Sequence, residues 1–504
     1  MRIIKEARCF YALKWGKCAC MARFPPANTP RPPPSMISET GTNLASVLIT
    51  NISGGSLMTT ALTDSRYRYR IFAMVFFIAL INYVDRGALS FAANDISREF
   101  NFNKAQLGAV LGYFGFGYLF GSLCGGFLAD RVGTKKVWLI AGALWSLLEI
   151  ATAWAGELGV ALFGGSAIMG FAALRIMFGF AEGPAYALMN KTIANWAPRK
   201  ERGFSLGIGL LSTQVGSLLT APLAVGLLLL TDDWRSMFML LGLFSLIAIL
   251  LFARFFTDTP EEHPEVNAVE LAAISADQDA DSQQPRLPWW AFFTNRTLVF
   301  NALGYFSFLY VTFVLVTWGP KYLQDTFNYD LHSLWYVAMI PWSGACFTVL
   351  LGGRIADALL RRFGNLRLAR NLFAAITLLL TATCFLLIPF MSTPTEIILL
   401  MTLGNALNAL VNNVYWSVVI DVTPKASVGA YSGMTLAIAN IASITAPMLS
   451  GWLAQHHGYG AMFFATAVVS FCSMLCMTLL QPERKMGADS SLVSHSGIQH
   501  AAQR

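Results

Sequence analysis

Charge is the scarcest ingredient of this sequence. Asp, Glu, Lys and Arg make up 12% of its 504 residues, against about 25% in ordinary globular chains. Hydrophobic residues reach 55% and the mean hydropathy is +0.54. That balance argues against a soluble enzyme, a nucleic-acid binder or a disordered scaffold. The net charge of +7 is carried by too few groups to tile a phosphate-binding face, so no nucleic-acid partner is expected. Cationic loops on one side of a membrane are the simpler source of the excess. The eight cysteines are scattered, with Cys124, Cys346, Cys472 and Cys476 inside apolar runs. They read as small buried hydrophobes rather than a disulfide frame. The sequence also lacks a Walker loop, a dinucleotide fingerprint after a strand and a paired-His motif. No enzyme activity, metal or organic cofactor is expected. His456-His457 reads as a solvated pair in an outer loop.

What the sequence has is apolar runs on the scale of a bilayer, about 20 residues per helical span. They fall near 71–93, 107–129, 137–157, 165–190, 202–230 and 235–257, then 297–322, 331–351, 367–390, 395–420, 428–455 and 459–480. The fold class is therefore all-α integral membrane, with twelve transmembrane helices in two six-helix bundles, 67–257 and 295–482. The spans at 165–190 and 395–420 are weakest by hydropathy because they hold polar residues. Residues 258–294 are rich in Asp, Glu, Gln and Pro and read as a soluble cytoplasmic linker. Residues 1–66, with Cys18, Cys20 and six prolines between Pro25 and Pro34, lack a signal-peptide core. They read as a disordered tail or as the product of a start placed too early, with Met58 as the alternative start. Residues 483–504 read as a cytoplasmic tail.

Loop charge orients the chain. With the first residue inside, the inner loops hold Arg66, Arg68, Arg70, Arg131, Lys135, Lys136, Arg199, Lys200, Arg202, Arg354, Arg361, Arg362, Arg367, Arg370, Lys425, Arg484 and Lys485. The outer loops hold Arg98, Lys104, Arg235 and Lys321. A ratio of about four to one places both termini in the cytoplasm. The expected location is the cell inner membrane, and the expected state is a monomer in the lipid bilayer.

An internal repeat is visible. Gly125-Gly126-Phe127-Leu128-Ala129-Asp130 matches Gly352-Gly353-Arg354-Ile355-Ala356-Asp357, Pro198 matches Pro424, and Thr220-Ala221-Pro222 matches Thr445-Ala446-Pro447. All three matches fall at an offset of 225 to 227, so the halves are parallel repeats. Carriers built this way hold substrate between the halves and rock one against the other.

The stretch from Gly126 through Asp130, Arg131, Gly133 and Lys136 resembles the loop signature of the major facilitator superfamily. Asn82-Tyr83-Val84-Asp85-Arg86, Arg175 through Glu182-Gly183-Pro184-Ala185, and Trp196 through Gly203 resemble the anion:cation symporter family within it. That family includes bacterial sugar-acid/proton symporters, sialin and the vesicular glutamate carriers. The resemblance covers roughly residues 67–482.

An ionisable group at bilayer depth costs at least about 2.5–3.5 kcal/mol, so charges kept inside spans suggest function. Five are present: Asp85, Arg86, Glu149, Arg175 and Glu182. Adjacent on one helix, Asp85 and Arg86 point about 100° apart and need different partners. Arg175 and Glu182, seven apart, share a face with Gly179 between them, which leaves room for a ligand or another helix. Two acids and two bases make a neutral set that one proton or one substrate carboxylate unbalances. A structural ion-pair network is the plain alternative. Glu149, after Trp145, reads as a helix-contact residue or one near a wet edge.

The resemblance implies roles. Arg86 would bind the substrate carboxylate, Asp85 and Glu182 would take protons, and Arg175 would couple them. Tyr83 and Tyr118 would line the cavity, with core packing as their alternative, and Gln214 would bind a hydroxyl. An offset of about 226 carries Glu182 onto Asn408, Gln214 onto Asn440, Arg175 onto Met401 and Tyr83 near Tyr310. The second half thus offers neutral hydrogen bonds: Asn405, Asn408, Asn412 and Asn413, then Tyr415 and Trp416. Amides beside an aromatic plate suit a polyhydroxylated chain, and interhelical amide bonds are the alternative. Several sugar-acid members of the family carry Asn one turn before the position of Asn440, where this chain has Leu436. Gly126, Asp130, Arg131, Gly133 and Asp357 read as conformational latches of an outward-open state, or as topogenic charge alone. The expected function is a proton-coupled symporter that imports an organic anion, a sugar acid such as galactonate or glucarate. The alternatives are another carboxylate, such as a hydroxylated aromatic or tartrate-like acid, or a transporter-like membrane sensor.

Overall fold

The computed structural model describes residues 65–198, 201–275, 287–424, 427–484 and 486, without the side chains of 126, 130, 202 and 203. The tail at 1–64 and the latch side chains Gly126 and Asp130 therefore lie outside the described residues.

The first six helices are α1 (Tyr67–Ala88), α2 (Lys104–Val132), α3 (Thr134–Thr152), α4 (Ala167–Glu182, resumed after Gly183-Pro184 as Ala185–Trp196), α5 (Arg202–Thr231) and α6 (Trp234–Phe255). The second six are α7 (Arg296–Phe327), α8 (Ile340–Phe363), α9 (Phe373–Leu387), α10 (Pro394–Val422), α11 (Val428–Asn440, resumed as Ala442–His456) and α12 (Gly458–Thr478). Short helices at Ala93–Phe100 and Leu331–Val337 prolong α1 and precede α8. Among the described residues, ten helices are long and apolar enough to cross a membrane, including α10, one of the two weak spans. The other two depart from a plain span. Helix α3 breaks after Thr152 and bends by 81° into Ala155–Leu162, and the longer piece of α4 has 16 residues.

Local signals set the helix ends. Asn103 and Gln106 form a reciprocal capping box at α2, and Thr393 with Glu396 forms another at α10, where Pro394 takes the first turn. Asp233 accepts from the Arg235 and Ser236 amides at the start of α6. Between α2 and α3 the chain turns at Gly133, whose φ of 91° suits glycine. The outer faces are apolar: Leu230 is 77% exposed, Phe347 72% and Ile140 62%. Surfaces of this kind face lipid, so charge is confined to loops and interior. The described cysteines are unpaired, but Cys124 and Cys472 sit on this outer surface rather than in the core.

Inside each half, helices meet backbone to backbone. A Cβ on Gly117 of α2 would stand 1.8 Å from the carbonyl oxygen of Ile176 on α4. In the second half, Gly352 of α8 meets the carbonyl of Leu410 on α10 at the same 1.8 Å. Such approach is how membrane helices gain dispersion contacts without a hydrophobic drive. Gly117→Ala is expected to force the α2–α4 pair apart at a cost of about 1–3 kcal/mol. Thermal unfolding in detergent checks this, and an unchanged melting temperature would contradict the packing argument.

The polar segment after α6 is anchored as far as Ser275. The buried Glu270 carboxylate accepts from the Tyr67 and Arg68 amides, both at 2.9 Å, and so caps the start of α1. It also pairs with the Arg68 side chain at 3.1 Å, and Arg68 reaches Glu201 at 3.0 Å. Asp258 accepts from the Lys135 amide at 2.5 Å and caps α3. Its Oδ2 lies 2.5 Å from where a Cβ on Gly133 would be.

At the end away from this segment, polar contacts join the halves. Asn94 donates to Gln324 at 2.8 Å, Lys321 donates to Asn94 at 2.5 Å, and the Lys104 amide donates to Gln455 at 3.0 Å. Lys104 also lies 3.7 Å from Asp325 and over the Tyr459 ring. Deeper in, Ser90 donates to the carbonyl of Val316 at 2.7 Å.

Candidate functional site

Between the halves lies a cavity lined by Tyr83, Arg86, Tyr118, Tyr186, Tyr305, Leu309, Thr312, Phe313, Val316, Leu436 and Asn440. Four tyrosines and one arginine dominate its polar surface. On the linker side, Tyr186 of α4 stacks on Trp416 of α10, with ring centroids 6.0 Å apart.

Arg86 is the cationic group of the cavity wall. Its Nε and Nη2 donate to Glu182 Oε2 at 3.1 and 3.0 Å, and Nη2 also donates to Asn82 at 3.1 Å. Its guanidinium carbon lies 4.5 Å from the Tyr83 ring centroid, 4.6 Å from Tyr118 and 4.9 Å from Phe114. Ring faces stabilise a desolvated cation and hold the planar fork in place. Glu182 keeps Oε1 without a hydrogen-bond partner.

Asp85 points elsewhere, as the helix geometry requires. Its Oδ2 accepts from Ser245 of α6 at 2.6 Å, while Oδ1 has no hydrogen-bond partner. Trp145 of α3 stands beside the same carboxyl. Arg175 lies between the Phe114 and Phe178 rings, each 5.2 Å away, and its Nε and Nη1 make no hydrogen bond. The space at Gly179 is taken by a helix rather than a ligand: a Cβ there would lie 2.1 Å from the Phe114 carbonyl oxygen.

Glu149 lies at a helix contact, the first of its two sequence readings. It is fully buried, neither of its oxygens has a hydrogen-bond partner, and the charges around it are those of Asp85, Arg175 and Glu182. No wet edge is involved. The buried set holds three acids and two bases, rather than the neutral two and two counted from sequence.

In the second half, Asn440 lines the cavity and its Nδ2 is unpartnered. Trp416 forms part of the aromatic closure, edge-on to Tyr305 at 5.2 Å. The amides of α10 are used differently. Asn405 donates to the carbonyl of Pro341, Asn408 to Phe308 and Asn413 to Val349, so these three tie helices together. Asn412 is buried with an unpartnered Oδ1, and Gln214 is buried with an unpartnered Oε1; neither lines the cavity. Tyr310 is 1% exposed, packs on Phe306 and also lies off the cavity. An offset of 226 carries Tyr83 and Arg86 onto Leu309 and Thr312, and both face the cavity. Reading Tyr310 as the counterpart missed by one residue, or about 100° of helix.

Sequence reasoning also missed Tyr186, Tyr305 and Thr312. Thr312 was reachable through the repeat. Tyr305 has Ala79 as its counterpart at the same offset, so the repeat gave no signal for it.

The residues read from the sequence as latches lie toward the linker end. Arg131 lies over the Phe127 ring at 4.1 Å, and Gly133 abuts Asp258. Asp357 pairs with Arg370 at 3.4 Å, and Arg370 pairs with Asp421 at 3.0 Å, both within the second half. Among the described residues, no three His, Cys, Asp or Glu side chains are grouped so as to hold a metal ion.

Two six-helix repeats around a central polar cavity define a secondary carrier, not an enzyme. The family profile described as Major Facilitator Superfamily matches residues 75–436 and 358–499, and the chain belongs to that family. It is 28% identical over 422 residues to the hexuronate transporter of Bacillus subtilis (strain 168), covering 83% of this chain and 96% of the relative. It is 29% identical over 433 residues to a probable sulfoacetate transporter of Cupriavidus necator, covering 83% and 97%. Its fold matches the crystal structure of a D-xylose-proton symporter with a TM-score of 0.65 at 20% identity, over 83% of this chain and 98% of that one.

Proposed function

We propose that the protein is a proton-coupled symporter that imports an organic anion, a sugar acid such as galactonate or glucarate. The observation that carries this reading is Arg86, a buried fork between two tyrosine faces whose ionic partner is the titratable Glu182. A substrate carboxylate entering the cavity competes with Glu182 for the same N–H groups. Protonation of Glu182 yields them without leaving a buried charge unpaired. The likeness to a hexuronate carrier supports a hydroxylated acid, and the tyrosine hydroxyls, Thr312 and Asn440 supply donors and acceptors for it. The proton serves as the coupling ion and no other cofactor enters the scheme. The location would be the inner membrane, with both termini cytoplasmic and the monomer as the working unit.

A second reading keeps the fold and changes the acid. Leu436 and Phe313 present apolar surface to the cavity, and one relative is a probable sulfoacetate carrier. Both favour a shorter or aromatic acid with fewer hydroxyls.

Reconstitution in liposomes under an imposed pH gradient tests both readings, with labelled hexuronate, galactonate, glucarate, sulfoacetate and a hydroxybenzoate. Accumulation of one acid, dependent on the gradient, is expected. No gradient-driven accumulation of any acid would sink the symport reading. Asn440→Ala removes an unpartnered amide from the cavity wall and is expected to raise KM about tenfold for a hydroxylated substrate. An unchanged KM would take Asn440 out of the binding site.

A further inference from the structure

The two walls of the central cavity are related by the internal repeat but not by charge. The first half brings Arg86 to the wall, and among the described residues everything the second half brings is neutral. An offset of 226 carries Arg86 onto Thr312, and both line the cavity. Where one half presents a guanidinium, the other presents a hydroxyl at the matching position. That hydroxyl has already spent its proton, which Thr312 donates to the Phe308 carbonyl at 2.9 Å. What it can turn toward a ligand is an acceptor oxygen, which suits a sugar hydroxyl and repels a carboxylate. On the same side Asn440 offers an unpartnered Nδ2, a neutral donor. Leu309, Phe313 and Leu436 complete that wall with apolar surface.

No second cation stands close enough to take part. In the sequence of α7, α10 and α11, the second-half helices that line or close the cavity, Lys and Arg occur only at Arg296 and Lys321. Arg296 is the first residue of α7. Lys321 lies nine residues beyond Thr312, about 13.5 Å along the helix. It is engaged there, donating to Asn94 at 2.5 Å and to Asp325 at 3.2 Å. In the first half, Arg175 does not line the cavity and lies 5.2 Å from the Phe114 and Phe178 rings. Arg86 is therefore the one fork that a ligand in this cavity can meet among the described residues.

We propose that the cavity holds a carboxylate at one end only, so that the carrier takes aldonates and uronates and discriminates against aldarates. A six-carbon diacid carries its carboxylates at opposite ends of the chain, and a fork that grips one cannot grip the other. Its far carboxylate would be buried against an acceptor oxygen, one amide and apolar side chains, a charge without compensation. An aldonate or uronate places a hydroxyl or a hemiacetal there, which Thr312 and Asn440 can bond. A dianion short enough for one fork to span both charges, such as sulfoacetate, falls outside this rule. The inference rests on the organic-anion reading and narrows its substrate class.

The test compares matched acids by initial rates of uptake into liposomes, with the membrane voltage clamped at zero: galactonate against galactarate, and glucuronate against glucarate. Each aldarate differs from its partner by oxidation of one terminal carbon. At pH 7 the aldarate is expected to enter with a kcat/KM at least about a hundredfold lower. The ratio of aldarate to partner is also expected to rise about tenfold when the outside pH falls by one unit. The aldarate enters with its far carboxyl protonated, and that form gains tenfold per unit at any pH well above a carboxyl pKa of about 4. Taking the ratio cancels the pH dependence of the carrier itself, which both acids share. Rejection by shape alone would leave the ratio flat. Equal efficiencies, or a ratio that does not move with pH, overturn the single-carboxylate rule and leave organic-acid transport intact. If no sugar acid is carried, 4-hydroxybenzoate against terephthalate makes the same comparison across an aromatic ring. Uptake of none of these acids removes the anion-carrier reading itself.

Discussion

Arg86→Ala is expected to abolish uptake and exchange alike, a loss of at least about a hundredfold. Two charge-assisted hydrogen bonds from one guanidinium are worth about 3–6 kcal/mol together when the partner is a carboxylate. Among the described residues, the cavity wall holds no other cation to replace them. The substitution also orphans Glu182, which is buried with its second oxygen already unpartnered, and breaking a buried pair costs about 3–5 kcal/mol of stability. Loss of transport could then be loss of fold. The double variant Arg86→Ala with Glu182→Gln separates the two effects. It removes the orphaned charge and is expected to recover the melting temperature in detergent without recovering transport. Arg86→Lys is expected to fall well short of the parent. A point charge cannot serve Asn82 and Glu182 while lying flat against Tyr83 and Tyr118. Counterflow of labelled substrate measures all three. Exchange at the parental rate in Arg86→Ala would place the substrate carboxylate elsewhere.

Much of this arrangement is legible in the sequence, and the reason differs from residue to residue. The spans stand out because lipid sets a length that apolar runs either meet or miss. The 16-residue piece of α4 falls short because the helix carrying Arg175 and Glu182 is broken at Gly183-Pro184. Asp85 and Arg86 could be assigned to different partners from the pitch of a helix alone, and the structure gives them Ser245 and Glu182. Glu149 was not legible in the same way. Its face on α3 has meaning only once α1 and α4 are packed against it, and neither neighbour is near in sequence. The amides of α10 depend on their packing in a related way. Asn405 and Asn413 donate to backbone carbonyls of α8 and Asn408 to one of α7, while Asn408 Oδ1 and Asn412 Oδ1 stay without a hydrogen-bond partner. A repeat fixes register only to within its own drift. With matches spread over offsets of 225 to 227, it could not distinguish Leu309 from Tyr310.

Glu182→Gln is expected to separate exchange from net uptake, and the charge count says why. In the proposed scheme, the empty carrier of the parent recrosses with Arg86 paired to ionised Glu182, and the loaded carrier crosses with Arg86 on the substrate and a proton on Glu182. Both interiors are balanced at this pair. In Glu182→Gln the loaded form is still balanced, because the substrate carboxylate meets Arg86 beside a neutral amide. The empty form is not, since it must bury a guanidinium without a carboxylate. A penalty of about 3–5 kcal/mol slows that return by at least about a hundredfold. Counterflow needs no empty return, so it survives at a reduced rate, while accumulation driven by a pH gradient collapses toward equilibrium. Counterflow in the variant should also lose the pH dependence that Glu182 imposes on substrate binding. Preloaded liposomes provide the first measurement, and empty liposomes under a pH gradient the second. Normal accumulation in the variant would remove Glu182 from the coupling scheme. Loss of both activities together, in a protein that still melts cooperatively at the parental temperature, would make Glu182 a ligand-positioning group rather than the carrier of the substrate-linked proton.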